Sequence, residues 1–199
     1  MCTVCRHQLP LTDHNFNAEN SVDRIFYGRI NIKKACSFLF FTEQGIVKNL
    51  IHQLKYRNQE QIGGFLGDWF GQQIKENNYL EKVDYVIPVP IHKKRLQKRG
   101  YNQTALFAKR LAFHLDSTYL DTVLIKTANT KTQTKKNRLG RWYDNRSLYE
   151  VTDEQVLKNK KILLIDDVIT TGATMEICAQ PLKNIEGTTV YIATMAVVE

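Results

Sequence analysis

One thirteen-residue segment, ILLIDDVITTGAT at Ile162–Thr174, constrains the fold of this chain more than any other part of it. Its first four residues are all apolar, which predicts a short strand buried on both faces, as in a parallel sheet. Asp166 and Asp167 follow where that strand is expected to leave the sheet. Thr170–Thr174 is then a turn of small residues leading into a predicted helix. The segment therefore predicts a strand–turn–helix unit of an α/β protein.

This unit carries the groups that a sugar phosphate requires. Backbone N–H groups and the positive end of the helix attract a phosphate, the threonine hydroxyls add donors, and Gly172 lets the backbone approach closely. The carboxylates of Asp166 and Asp167 can accept hydrogen bonds from ribose hydroxyls, directly or through a metal ion. Paired acids also follow strands in receiver domains and in NTPases, but the chain contains no G-x-x-x-x-G-K-[ST] phosphate loop. We interpret the segment as a sugar-phosphate site.

The remaining apolar pattern alternates between strands and helices. This alternation predicts a central, mostly parallel sheet flanked by helices, with ligands at the carboxyl ends of the strands. Glycines that recur every four residues from Gly63 to Gly71 predict a helix packed closely against another. The predicted strands are 83–89, 123–125, 162–165 and 190–198, and the predicted helices are 44–56, 62–74 and 102–115.

The net charge of +8 is concentrated in two segments. Residues 92–110 carry seven Lys or Arg and no acid, and residues 126–146 carry seven Lys or Arg against one Asp. The rest of the chain is therefore net acidic. Concentrated positive charge suits a highly anionic ligand, whether a pyrophosphate or a nucleic-acid backbone, and it is also compatible with a solvated basic face. Charge by itself does not distinguish these alternatives.

The acidic pair and the T-T-G-x-T turn resemble the signature of type I phosphoribosyltransferases, which bind phosphoribosyl pyrophosphate (PRPP). Other segments resemble the ComF competence-protein branch of that superfamily. These segments are LIHQLKYRN (Leu50–Asn58), VIPVPIHKKRLQKRGYNQ (Val86–Gln103), KTANTKTQT (Lys126–Thr134) and RWYDN (Arg141–Asn145). Four separated motifs in the expected order are more specific than any one of them. The resemblance implies a type I phosphoribosyltransferase fold, PRPP with Mg²⁺ as ligands, and transfer of phosphoribose to an acceptor.

The resemblance also assigns roles to individual residues. Asp166, Asp167, Lys126 and Arg141 are expected to be catalytic. The two acids are expected to contact the ribose, and Thr170, Thr171, Gly172, Ala173 and Thr174 the 5-phosphate. Pyrophosphate is expected to contact Val89, Pro90, Lys94, Arg95 and Arg99. A flexible loop that includes Thr127, Gln133, Thr134 and Asn145 is expected to close over PRPP. In related proteins this loop often begins with R-T-R, whereas here it begins Lys126-Thr127-Ala128. The second arginine is absent, which weakens the expectation that the loop is fully equipped for catalysis.

The acceptor is not readable from the sequence. The resemblance places acceptor recognition in a hood, at about residues 26–80 of a phosphoribosyltransferase-like domain that spans 26–199, with His52, Lys55 and Tyr56 as candidates. Because ComF-like proteins are associated with DNA uptake, the alternative is a non-enzymatic competence factor that binds single-stranded DNA and is regulated by PRPP. Few aromatic residues lie among the basic residues to stack on bases.

Residues 1–25 form a separate cysteine-containing segment. Cys2 and Cys5 have the C-x-x-C spacing of zinc ligands, but a structural zinc site needs four. ComF-like proteins often carry two such pairs, so we expect this pair to be the second of two, a zinc-finger-like remnant with an upstream pair missing; His7 or His14 are weaker alternatives. The chain has no long apolar run and no visible signal segment, which predicts a cytoplasmic protein without a membrane span. The sequence does not indicate an oligomeric state.

Overall fold

The computed structural model describes residues 3–127 and 148–198, in which helices and strands alternate for most of the chain. The helices are α1 (Thr3–His7), α2 (Ser21–Ile25), α3 (Ile46–Tyr56), α4 (Gln61–Glu76), α5 (Lys93–Arg99), α6 (Ala105–His114) and α7 (Ala173–Lys183). The strands are β1 (Lys34–Phe41), β2 (Tyr85–Pro88), β3 (Thr118–Tyr119), β4 (Leu124–Lys126), β5 (Tyr149–Val151), β6 (Lys161–Ile169) and β7 (Thr189–Val198).

Five of these strands form the central sheet, in the order β1-β7-β6-β2-β3. Every neighbouring pair in it is parallel, which confirms the predicted parallel sheet. The short strand expected at residues 123–125 is present as β4. It lies outside the central sheet, however, and pairs antiparallel with β5.

Both faces of the sheet are covered by helices. Along β6, Leu163 and Ile165 contact the core formed with α3, α4 and α6, whereas Ile162 and Leu164 contact the core formed with α2 and α7. All four side chains are fully buried, as a continuous apolar run in a two-faced sheet predicts. In the described part of the chain, no helix has the length and apolar character that a membrane span requires.

The glycine-rich face of α4 packs closely against α6, as the four-residue spacing predicts. A Cβ at Gly67 would lie 2.7 Å from the carbonyl oxygen of Phe107 and 3.0 Å from Cβ of Arg110. A Cβ at Gly71 would lie 2.9 Å from Cβ of His114. These glycines therefore have a packing role, and the close contact holds α6 and the loop that precedes it against the sheet.

Two elements differ from the sequence-based prediction. Residues 34–41 form β1, an edge strand that pairs with β7, in a region where the sequence predicts no strand. Residues 93–99, where the sequence predicts no helix, form the short helix α5. The His92 side chain accepts a hydrogen bond from the Lys94 amide at its start, and Gly100, with φ of 87°, ends it. Local capping therefore produces this helix without any buried side chain.

Candidate active site

The two acids of ILLIDDVITTGAT lie within β6, beyond the end of its neighbour β2. Pairing with β2 stops at Pro88 opposite Ile165, and the Val89 amide then donates to the Ile165 carbonyl at 2.7 Å. On the other side, β7 stays paired with β6 as far as Ile169. The expectation that the strand leaves the sheet at Ile165 is therefore wrong, because β7 extends the ladder by four residues. Asp166 and Asp167 are thus fixed by strand geometry beside a gap left by β2.

Asp167 is buried and its carboxylate is held from two sides. Its side chain is 7% exposed, and the Lys55 ammonium on α3 lies 2.7 Å from Oδ1. The Gln103 amide donates to Oδ2 at 2.8 Å, and Arg99 donates in turn to Gln103 Oε1. Sequence reasoning did not select Gln103, although it is the last residue of the VIPVPIHKKRLQKRGYNQ segment. These contacts hold the Asp167 carboxylate in one orientation.

Asp166 has a different environment from its neighbour. Its Oδ1 accepts a hydrogen bond from the Asp167 amide at 2.8 Å. Burial, followed by the negative charge of Asp167, raises the pKa of the Asp166 carboxyl to about 7. Near neutral pH this group can therefore bind either a proton or a cation, which is the behaviour expected of a carboxyl that meets a charged ligand.

Lys126 brings a cation to the same place from β4. Its ammonium donates to the Tyr149 hydroxyl at 2.9 Å and lies 4.8 Å from the centre of that ring. Burial and the nearby charge of Arg95 lower the pKa of Lys126, whereas burial raises the pKa of Tyr149. Tyr149 therefore stays a protonated phenol. It was not identified from sequence, because it follows the long basic segment and no motif marks it.

A cleft of about 330 Å³, here called the acid cleft, lies between these groups. It brings together three segments that are far apart in sequence: the end of β2, the acids of β6, and β4 with β5. The Asn102 amide donates to the Val89 carbonyl at 3.0 Å and so fixes the backbone after β2. Predicted site residues that line the cleft are Val89, Pro90, Arg95, Lys126, Asp166, Asp167 and Thr174.

Two predicted pyrophosphate residues, Lys94 and Arg99, lie beside the acid cleft rather than in it. They line a second cavity of about 550 Å³, here called the basic groove, between α5 and the end of α3. None of the five cations of α5 forms an ion pair with a carboxylate in residues 3–127 or 148–198. The remaining lining residues are Lys55, Tyr56, Asn58, Arg95 and Lys98.

The turn at residues 170–174, here called the phosphate turn, is held from behind by the N-terminal region. Gly172 has φ of 72°, and a Cβ there would lie 2.5 Å from Cγ2 of Ile25. The Arg29 guanidinium donates to the carbonyl oxygen of Thr171 and to the Glu176 carboxylate in the first turn of α7. The Thr171 carbonyl is therefore held toward the Arg29 guanidinium.

The members of the phosphate turn have separate surroundings. Thr174 lines the acid cleft, and Thr170 lines a further cavity beside α3. Thr171 and Ala173 are exposed, and Ala173 is the first residue of α7. Gly172 is buried, and the reason for a glycine there is its left-handed backbone and the crowding by Ile25.

Several predicted residues cannot be placed. Arg141, Gln133, Thr134, Asn145 and Cys2 lie outside the described residues. The Thr127 amide donates to the Leu148 carbonyl at 3.0 Å, which continues the pairing of β4 with β5. Cys5 is a partly exposed residue of α1.

No cluster of three or more potential metal ligands of the His, Cys, Asp and Glu types occurs in the described part of the chain. Zinc binding through Cys2 and Cys5 stays a prediction, as does the division of the chain at residue 25. Residues 26–80 supply β1 to the central sheet and α3 and α4 to its cover.

Comparisons with known proteins agree with this geometry. A family model described as phosphoribosyl transferase domain matches residues 102–197. The chain is 29% identical over 143 residues to competence protein F of Haemophilus influenzae, and 26% identical over 146 residues to the DNA utilization protein YhgH of Salmonella typhimurium. These matches cover 68% and 72% of this chain and 61% and 63% of the relatives. The chain thus spans about three fifths of the length of the curated relatives it matches.

A solved structure supports the same fold. The glutamine PRPP amidotransferase of Bacillus subtilis, in complex with ADP and GMP, superposes with a TM-score of 0.51 at 17% identity. The match covers 72% of this chain and 30% of the amidotransferase. At that identity the likeness concerns the fold alone. The chain is therefore similar to competence protein F and to the DNA utilization protein YhgH, it has a type I phosphoribosyltransferase fold, and the phosphoribosyl transferase domain model matches its residues 102–197.

Proposed function

We propose that this protein binds PRPP in the acid cleft and transfers its phosphoribosyl group to an acceptor, with release of pyrophosphate. One observation carries the proposal: a single cleft is lined by two carboxylates, Asp166 and Asp167, and by the cations Lys126 and Arg95. Carboxylates suit the hydroxyls of a ribose, and cations suit the oxygens of a pyrophosphate. The phosphate turn adjoins the cleft at Thr174, where a 5-phosphate would meet the start of α7.

The proposed reaction breaks the bond between the anomeric carbon and the pyrophosphate oxygen. The electron pair of that bond leaves with pyrophosphate, while a lone pair of the acceptor forms the new bond to the anomeric carbon. Positive charge therefore develops on the ribose and negative charge on the leaving group. In the proposed reaction Asp166 and Asp167 orient the ribose, and Lys126 and Arg95 stabilise the departing charge.

Mg²⁺ fits this arrangement as the ion accompanying PRPP. The ion prefers oxygen ligands and commonly binds through one or two carboxylates together with substrate phosphates. Both carboxylate oxygens of Asp167 already have a partner, Lys55 and Gln103. Among the described residues the Asp166 carboxylate accepts one hydrogen bond, at Oδ1, and is therefore the more available ligand. When bound there, Mg²⁺ would supply positive charge to the pyrophosphate. The predicted cytoplasmic location stays a prediction.

The first test is calorimetric titration of PRPP with Mg²⁺ into the wild type and an Asp166→Asn/Asp167→Asn variant. We expect saturable binding that the double variant loses, because neutral amides attract neither the cation nor the ribose hydroxyls as strongly. Asp116→Asn is the matched control, because that carboxylate is exposed and pairs only with Lys75 among the described residues. Equal PRPP affinity in wild type and double variant, or no binding to the folded wild type, would contradict the proposal. Pyrophosphate release with candidate acceptors then tests the transfer step.

A second candidate function, binding of single-stranded DNA, is favoured by the basic groove. Its lining combines five cations with Tyr56, a residue that is 66% exposed and whose ring centre lies 5.7 Å from the Arg99 guanidinium carbon. A groove of cations with an accessible aromatic ring provides both phosphate contacts and a stacking surface. Two relatives named for competence and for DNA utilization support the same candidate.

This candidate is tested by the salt dependence of binding to oligo(dT), followed by fluorescence anisotropy. We expect a Lys94→Gln/Lys98→Gln variant to flatten the plot of log affinity against log salt by roughly one unit, because each phosphate contact releases counterions. A Lys75→Gln/Lys82→Gln variant removes the same charge elsewhere and is expected to leave the slope unchanged. A wild type that does not bind oligo(dT) at low salt, or equal slopes for both variants, would rule out the groove as a DNA site.

A further inference from the structure

The segment Tyr101–Gln103, which follows α5, is hydrogen-bonded to three different walls of the acid cleft. Its tyrosine hydroxyl donates to the Leu54 carbonyl in the last turn of α3. Its asparagine amide donates to the Val89 carbonyl after β2 at 3.0 Å. Its glutamine amide donates to Oδ2 of Asp167 in β6 at 2.8 Å. One short segment therefore connects the end of α3, the end of β2 and the acids of β6.

Gln103 differs from its two neighbours because it contacts a side chain of the cleft rather than a backbone carbonyl. It is 8% exposed and lines the acid cleft together with Asp167. A buried amide has both an N–H donor and a carbonyl acceptor, and both ends need a partner. The Asp167 carboxylate is the partner of the N–H end.

Arg99 is the partner of the other end of this amide. Its guanidinium donates to Oε1 of Gln103, and its guanidinium carbon lies 5.7 Å from the centre of the Tyr56 ring. A guanidinium only donates hydrogen bonds and an ionised carboxylate only accepts them, so an amide can bridge the two in one orientation. Arg99, Gln103 and Asp167 therefore form a series in which each side chain donates to the next.

The position of Arg99 indicates that this series is its route to the ligand. Among the described residues, Gln103 lines the acid cleft, whereas Arg99 lines the basic groove. The resemblance to phosphoribosyltransferases leads one to expect a contact between Arg99 and pyrophosphate. The observed hydrogen bonds instead connect Arg99 to Asp167, the carboxylate expected to meet the ribose.

We propose that Gln103 and Arg99 are positioning residues for the Asp167 carboxylate. Arg99 fixes the Gln103 amide, and Gln103 holds the carboxylate in the orientation in which it accepts hydrogen bonds from the ribose hydroxyls. Arg99 therefore acts on the ribose end of the substrate and not on pyrophosphate. This inference rests on the proposed function, because it requires a ribose bound at Asp167.

The test compares two probes, ribose 5-phosphate and pyrophosphate, each titrated with Mg²⁺ into the full chain by calorimetry. Gln103→Met keeps the length and approximate volume of the side chain but removes the N–H donor. We expect the affinity for ribose 5-phosphate to fall about tenfold, as for the loss of one hydrogen bond to a charged group, and the affinity for pyrophosphate to stay unchanged. Gln72→Met is the matched control, because Gln72 also donates to a carboxylate, that of Glu76 at 2.7 Å, on the exposed surface of α4. The control should change neither affinity.

A double-mutant cycle tests whether Arg99 acts through Gln103. We expect Arg99→Ala to lower the affinity for ribose 5-phosphate about threefold in the wild type and to have no further effect in Gln103→Met. Independent contributions to packing or to the overall charge would add instead. Direct contact with pyrophosphate would lower the pyrophosphate affinity in both backgrounds. Because α5 has no buried residue, Arg99→Ala tests the inference with the two probes even if Gln103→Met does not fold.

The outcomes separate this inference from the proposed function. If the wild type binds neither PRPP nor ribose 5-phosphate, the proposed function fails and this inference fails with it. If ribose 5-phosphate binds but Gln103→Met leaves its affinity unchanged, the positioning inference is wrong and the proposed PRPP site stands. The same conclusion follows if Arg99→Ala weakens pyrophosphate alone, or if the two substitutions are additive.

Discussion

The phosphate turn and α5 both present groups suited to anions, but the fold treats them in opposite ways. Gly172 of the turn is buried against Ile25, and Arg29 binds the carbonyl of Thr171. By contrast, α5 has no buried residue, and its cations form no ion pair with an acid in the described part of the chain. The turn is therefore built into the core, whereas α5 is a surface helix defined by its caps.

If both regions bind anions as proposed, this difference predicts two kinds of anion recognition in one protein. A turn fixed by tertiary contacts presents backbone N–H groups at set positions and can discriminate the geometry of a single phosphate. Exposed lysine and arginine side chains on a short helix attract negative charge with little geometric demand and lose that attraction in salt. Changes in the turn should therefore affect stability and selectivity, and changes in α5 should affect mainly salt-dependent affinity.

The largest effect is expected from Gly172→Ala. A non-glycine residue at φ of 72° is strained, and its Cβ would also lie 2.5 Å from Cγ2 of Ile25. We expect the free energy of unfolding to fall by about 3 kcal/mol, measured by urea denaturation. Gly28→Ala is the matched control, because Gly28 has φ of 70° with nothing within 4 Å of its Cβ position, and should lose only about 1 kcal/mol. Equal losses in the two variants would show that the turn is not built into the core as described.

A pH-dependent effect is expected from Asp166→Asn in the ligand-free protein. The folded pKa of about 7 exceeds the usual 3.8, so the folded state binds more protons than the unfolded state between these values. Wild-type stability contributed by this group therefore falls as pH rises through that window. The charges facing Asp166 are those of Asp167, Lys55 and Lys126.

Because asparagine cannot ionise, the free energy of unfolding of the variant should increase relative to that of the wild type as the pH rises. We expect an advantage near zero at pH 4 and of about 2 kcal/mol at pH 8, about half of what the full pKa shift implies, because the Asp166 side chain is partly exposed to solvent. Urea denaturation at both pH values measures it, with Asp116→Asn as the control for an exposed carboxylate. The same difference at both pH values would mean that Asp166 titrates as an ordinary carboxyl.

A ligand-selective loss of affinity is expected from Arg29→Ala. Without the guanidinium, the Thr171 carbonyl loses its donor and is free to turn toward the bound anion. We expect the affinity for ribose 5-phosphate to fall about tenfold, or about 1.4 kcal/mol, while the affinity for pyrophosphate is unchanged. Arg24→Ala removes an exposed arginine paired with Glu19 in the same region and should change neither. Parallel loss of both ligands would indicate general disruption rather than positioning of the turn.

The same contrast explains what the sequence could and could not predict. In ILLIDDVITTGAT, apolar pattern, polarity and glycine all point to one local structure, so strand, acids and turn could be identified without tertiary information. β1 was missed because KACSFLFF has no strict alternation of apolar and polar residues, and its identity as a strand depends on pairing with β7. The contact of Lys55 with Asp167 likewise depends on how α3 docks on the sheet, which no spacing in the sequence encodes.

The helix α5 was missed for the opposite reason. A helix with no buried face has no 3.6-residue apolar period, so periodicity cannot reveal it. Its signals are the His92 cap and the left-handed Gly100, which are easily interpreted as loop residues. The concentration of charge was predictable there, but the separation of Lys94 and Arg99 from the acid cleft was not, because it depends on which way each side of the helix faces.

The smallest effect is expected from Lys98→Gln. Lys98 is exposed and unpaired with any described acid, and five like charges within seven residues repel one another. We expect the free energy of unfolding to change by less than about 0.5 kcal/mol, measured by urea denaturation. Lys55→Gln makes the same change where the ammonium holds buried Asp167, and should lose about 2 kcal/mol. If Lys98→Gln were the more damaging change, α5 would be part of the folded core; if it is silent, the charge of Lys98 does not serve stability.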